Sequence, residues 1–250
     1  MRYFIHLCYR GTFFHGWQRQ KNAYTIQEEV ENALKTFLQE DISTVGCGRT
    51  DSGVHARSYY LHFDSDRPLN QRATYALNSL LSDDISVLDI MKSKKDIHAR
   101  FSALTRTYQY FIHHHKDPFM TDRSYLFHRK DALDIDLMNE FCQQLLKVES
   151  FYSFEKKGSD NTNSNCTVSH AQWSITDNGC FLKITSNRFL RNMVRAIVAT
   201  SLMIGTNKRT LEDVMQDVMA QKPIHLSMAA PACGLHLWSI EYPENVFKKL

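Results

Sequence analysis

One carboxylate stands out by its setting. Asp51 lies in the run Gly48-Arg49-Thr50-Asp51-Ser52-Gly53-Val54-His55-Ala56, between an arginine and glycines, with apolar strand-like stretches on either side. Asp-Ser-Gly is also ordinary turn chemistry, because Asp bonds its own backbone and Gly supplies positive φ. A carboxylate held this way is a turn former or a nucleophile. As a nucleophile it has to be ionised at neutral pH, and burial works against that, whereas a nearby cation favours it. An arginine suits the part of such a cation, because a guanidinium stays protonated and meets a carboxylate bidentately, and Arg195 is notable for its surroundings. Its neighbours Met193, Val194, Ala196, Ile197 and Val198 are apolar, so it is either a solvated charge on an amphipathic helix or a cation in a largely buried setting. Tyr108 shares one strand face with Arg106 and Tyr110 by alternation, as a packed core aromatic or as a ring presented to a ligand.

Such residues need elements to carry them. Tyr3–Tyr9 reads as a strand, and Thr25-Ile26-Gln27-Glu28 is a capping box that opens a helix through Val30, Ala33, Leu34, Phe37 and Leu38. Ser43–Cys47 and Ser58–Asp64 are predicted strands flanking the Asp51 loop. A helix over Gln71–Leu81, a strand over Ile85–Met91 and a long strand over Leu104–His114 follow. The second half predicts a helix over Ile135–Val148, a polar mobile loop over Lys156–Asn165 and strands over Thr167–Ile175 and Cys180–Asn187. Asp177-Asn178-Gly179 is the hairpin signal between those strands. Helices over Phe189–Ile204 and Leu211–Ala220 precede a last strand over Leu235–Tyr242. The expected fold is α+β: an antiparallel sheet with helices on one face, in two similar halves, residues 1–103 carrying the Asp loop and 104–250 completing the cleft.

Composition narrows the function classes. With 250 residues, 43% of them hydrophobic and 23% charged, the chain can bury a real core. No apolar run approaches membrane-spanning length, since Phe189–Gly205 is broken by Arg191, Asn192 and Arg195. No signal peptide is recognisable, so a cytoplasmic location without membrane attachment is expected. The six cysteines are scattered with no Cys-x-x-Cys pair, and on a strand only His113 and His115 of the His113-His114-His115 run share a face. Neither pattern makes a metal site. A net charge of +3 does not announce a nucleic acid by itself, but Arg10, Arg19, Lys21, Arg49, Arg57, Arg188 and Arg191 crowd around the motif segments.

With the Asp51 nonamer, four further segments form a set. They are Gly16-Trp17-Gln18-Arg19-Gln20, His98-Ala99-Arg100-Phe101-Ser102-Ala103 continuing to Arg106-Thr107-Tyr108-Gln109-Tyr110, Phe189-Leu190-Arg191-Asn192-Met193-Val194-Arg195, and Gly234-Leu235-His236-Leu237. In this order and spacing the chain resembles the tRNA pseudouridine synthase A family from Tyr9 to Pro243. It departs from the family pattern at Arg10, Tyr59, Ser82 and Ala199. The resemblance implies that Asp51 is the catalytic aspartate, Arg195 the arginine that pairs with it, and Tyr108 the tyrosine against the target uracil. Arg49 would hold the nucleotide out of the stack, and His55 and Leu235 would join the substrate-binding set. It further implies conversion of uridine to pseudouridine at tRNA positions 38, 39 and 40 of the anticodon stem-loop, by a homodimer, with no cofactor and no metal. A different RNA target within the family, or a catalytically silent tRNA-binding or chaperone protein on the same scaffold, are the competing expectations.

Overall fold

Alternating burial along Arg2–Tyr9 makes strand β1: Tyr3, Ile5, Leu7 and Tyr9 are buried on one side, and Phe4, His6 and Cys8 point to the other. This computed structural model describes residues 1–128, 133–156, 158, 162–226 and 228–250. Helix α1 (Ile26–Leu38) starts where the capping box places it, with Thr25 Oγ1 accepting from the Glu28 amide at 3.3 Å. Gln39 closes it in the left-handed region at φ 53°, its amide donating to Lys35 O. There follow β2 (Val45–Gly46), β3 (His55–Asp64), α2 (Arg72–Asn78) and β4 (Ile85–Ser93). The chain then forms β5 (Thr105–His113), β6 (Tyr125–Leu126), α3 (Ile135–Leu145), β7 (Val168–Thr176), β8 (Gly179–Ser186), α4 (Met193–Gly205) and α5 (Leu211–Met219). It ends with β9 (Leu235–Glu241) and β10 (Phe247–Lys249). This is an α+β fold, and among the described residues no helix is long and apolar enough to cross a membrane.

The chain divides into two units, Met1–Leu104 with His236–Leu250, and Thr105–Leu235. In the first unit the strands run β10-β4-β1-β3-β9. The β1 pairings with β3 (Ile5↔Leu61) and with β4 (Ile5↔Ile90) are antiparallel, and β2 adds to β3 at Val45↔His62. β9 pairs with β3 in parallel at His55↔His236 and Ala56↔Leu237. That pairing begins β3 at His55, three residues ahead of the predicted start. Buried Ile26, Val30, Ala33, Leu34 and Leu38 of α1 and Ala73 and Leu77 of α2 add to the sheet's Tyr3, Ile5, Leu61 and Phe63 as the unit's core.

In the second unit β5, β8 and β7 pair antiparallel, with Tyr110↔Leu182 and Trp173↔Leu182 in register. The turn Asp177-Asn178 joins β7 to β8 as the hairpin signal predicts. Two-residue β6 lies parallel to β5. Helix α4 starts four residues later than periodicity predicts, because Asn192 takes φ 65° and the Met193 amide closes a turn onto Leu190 O. The polar stretch Lys156–Asn165 lies partly outside the described residues, at 157 and 159–161.

Both units use an asparagine in the same way. Asn78, at the end of α2, donates to Val87 O on β4 at 2.9 Å and accepts from its amide at 2.7 Å. Asn139 on α3 does the same to Trp173 on β7, at 3.1 and 2.7 Å.

Candidate active site

The Asp51 loop is strapped from several sides within the first unit. The Thr50 carbonyl accepts from the Trp17 amide at 3.2 Å, and Tyr9 Oη lies 2.8 Å from Thr50 Oγ1. Phe14 O accepts from Ser52 Oγ at 3.2 Å and from the Gly53 amide at 3.4 Å. The Val54 amide donates to Asp51 O at 3.2 Å, closing the turn, and Gly53 takes φ +76°, where a side chain is strained. Gly16, at φ +83°, has no room for a Cβ, which would stand 2.4 Å from Thr50 O. Asp51 is half-buried, while Arg49 and Ser52 are exposed.

His55 follows the loop and is 3% exposed. Its Nδ1 accepts from the Gly11 amide at 3.2 Å, which places the proton of the neutral ring on Nε2, and its ring stacks on His236 at 4.6 Å. So the first unit brings Arg49, Asp51 and His55 onto one loop and its exit strand, with His55 underneath.

The second unit holds the other three candidates. Tyr108 sits half-buried on β5 opposite Ile184, with Phe189 edge-on to its ring at 5.1 Å and 88°. Neighbouring Arg106 donates to Asn187 O at 2.9 Å, which ties β5 to the start of the Phe189 segment. Arg195, half-buried on α4, donates from Nε to Ala230 O at 2.7 Å, and the Ala230 amide returns a bond to Arg195 O at 3.2 Å. This clasp fixes the guanidinium plane through backbone. Tyr110 Oη donates to Pro231 O at 2.8 Å; burial pushes its phenol upward, so it stays a donor. A Cβ on Gly234 would meet Tyr110 Cζ at 2.7 Å. Arg195 and Tyr110 therefore hold the segment that delivers Leu235, itself 6% exposed, to the head of β9.

Sequence reasoning missed Tyr9, Thr50, Tyr59, Tyr110 and Ala230, which act through hydroxyls and carbonyls that no residue pattern marks. Of the clustered cations, Arg10 pairs with Asp84 at 2.5 Å and Arg19 with Glu31 at 3.1 Å, and Arg57 lies 6.0 Å over the Trp238 ring. Among the described residues, no group of three or more His, Cys, Asp or Glu is arranged to hold a metal.

A family model described as tRNA pseudouridine synthase matches residues 142–243, the span that carries Arg195 and Leu235. Whole-chain relatives extend the match over the Asp51 loop. A tRNA pseudouridine synthase A of Bacteroides fragilis is 42% identical over 250 residues, covering 99% of this chain and 98% of its own. One of Bacteroides thetaiotaomicron is 42% identical over 99% of this chain and 93% of its own. One of Azobacteroides pseudotrichonymphae is 39% identical over 99% of both. The chain belongs to the tRNA pseudouridine synthase A family.

Proposed function

We propose that this protein isomerises uridine to pseudouridine in tRNA, at positions 38, 39 and 40 of the anticodon stem-loop. The observation that carries the reading is the Asp51 loop, strapped to Phe14, Trp17 and Tyr9 in a chain related along its full length to such synthases. The reaction breaks the bond between the sugar C1′ and uracil N1, turns the freed base and forms a bond from C1′ to C5. The proton on C5 is lost and N1 gains one, so no atom is added overall and no redox partner is needed. Asp51 supplies the electron pair, attacking either C1′, as a retaining glycosidase does, or the uracil ring. In the roles that the family resemblance implies, Arg195 is the arginine that pairs with this carboxylate and Tyr108 the tyrosine against the uracil. The uridine has to leave the stack, at a cost of a few kcal/mol, and Arg49 holds it out. His55 and Leu235 complete the binding set, His55 from beneath the loop. The working form is a cytoplasmic homodimer.

Incubating the purified protein with tRNA carrying tritium on uracil C5 tests this. Tritium is released by the parent and not by Asp51→Ala, and the modified sites map to 38, 39 and 40. Equal release from both proteins, or none from the parent, refutes the proposal; release mapped elsewhere refutes the target positions alone.

A further inference from the structure

Two phenol hydroxyls converge on the backbone just ahead of Asp51. Tyr59, fully buried on β3, donates to the Gly48 carbonyl. Tyr9, 5% exposed at the end of β1, shares a 2.8 Å hydrogen bond with Thr50 Oγ1. Their rings lie 5.5 Å apart, and Tyr59 also stacks on Trp17 at 4.2 Å and 28°. Space for this stack exists only because residue 46 is glycine: a Cβ there would stand 2.1 Å from Tyr59 Oη and 2.6 Å from Trp17 Nε1. The Trp17 amide in turn holds Thr50 O. Residues 48 and 50 are thus pinned from the sheet side by buried aromatics locked in rotamer by one another.

We infer that Tyr59 and Tyr9 are positioning residues for the Asp51 carboxylate, fixing the Gly48–Thr50 backbone so that the nucleophile is presented in one place. The inference rests on Asp51 being the nucleophile. A loop alone does not hold a reacting atom to a fraction of an ångström, and a misplacement of about 1 Å costs roughly a hundredfold in rate. Neither phenol touches the substrate in this role, so their loss lowers turnover and leaves tRNA affinity alone.

Tritium release under single-turnover and steady-state conditions tests it with Tyr59→Phe, Tyr9→Phe, Thr50→Val, Thr50→Ser and the Tyr9→Phe/Thr50→Val double variant. Tyr59→Phe is expected to lower kcat about tenfold with KM for tRNA within about twofold, and to speed amide exchange over residues 48–54. Tyr9→Phe and Thr50→Val each lower kcat, their double variant loses no more than the worse single, and Thr50→Ser, which keeps the hydroxyl, stays near the parent. Unchanged kcat in both Phe variants, a change in KM alone, or losses that multiply in the double variant overturn the inference. Those outcomes leave the parent active and Asp51→Ala silent. An inactive parent or an active Asp51→Ala instead removes the function proposed above and this inference with it.

Discussion

His62 is held neutral inside the first unit, and stability should depend on it in acid. It is 4% exposed, its Nδ1 accepts from the Ala99 amide at 3.0 Å, and its ring stacks on Phe4 at 5.4 Å. Burial chiefly, then the positive fields of Arg2 and His98, pull its pKa down to about 4, while Asp64 opposes them. In the unfolded chain the same ring takes up its proton near 6.5. Below that value the unfolded state binds a proton that the folded state refuses, so folding stability falls as pH drops. The contribution is complete above about pH 6.5, declines between about 6.5 and 4, and is spent below. The span is about two and a half pH decades at roughly 1.4 kcal/mol each, which puts the full loss at about 3.5 kcal/mol, about 3 kcal/mol of it reached by pH 4. His62→Asn removes the titration while keeping an acceptor near the Ala99 amide. Urea unfolding at half-unit steps from about pH 8 to 4 would measure it. The parent should lose about 3 kcal/mol more across the window than the variant, even if the variant starts lower at high pH. His6 is lowered as well, and its share cancels in the difference. Parallel profiles for the two proteins would refute the argument.

Gly16→Ala forces a side chain into φ +83° and 2.4 Å from Thr50 O, so stability should drop by about 1–3 kcal/mol and tritium release should fall with it. Thermal unfolding and single-turnover release check this, and a parent-like variant contradicts the close packing of the loop on Gly16. Asn139→Ala leaves the amide and carbonyl of buried Trp173 without the side chain that pairs them, a loss of about 1–3 kcal/mol visible as a lower urea midpoint. An unchanged midpoint would mean that water replaces the amide at no cost.

Local patterns were legible where one short segment carries its own instructions. Thr25 and Glu28 announce the start of α1, the turn at Asp177-Asn178 joins β7 to β8, and the alternation of Tyr3, Ile5 and Leu7 writes β1. What depends on distant partners was not legible. The parallel pairing of His55 with His236 joins segments some 180 residues apart in sequence, and nothing near either histidine signals the other. β10 is three residues with two lysines, too short and too polar to show a strand period. The late start of α4 comes from a left-handed Asn192, which an apolar helical period passes over. In the candidate site Asp51 could be picked out by its loop setting, whereas Arg49, Tyr108 and Arg195 took their expected roles from the family resemblance. Nothing in the sequence marks the hydroxyls of Tyr9, Tyr59 and Tyr110, which gained meaning only when the carbonyls and the threonine they meet were in view.

The paired amides of Asn78 and Asn139 have a consequence for assembly. A primary amide presents one donor and one acceptor with the spacing of a peptide unit, so each asparagine impersonates a single residue of an adjoining strand. A foreign segment approaching Val87 or Trp173 finds that rung of the ladder already taken, which discourages the ribbon-like stacking that bare margins invite. The same grip works as a detent: α2 cannot slide along β4, nor α3 along β7, by even one residue without surrendering both bonds at once.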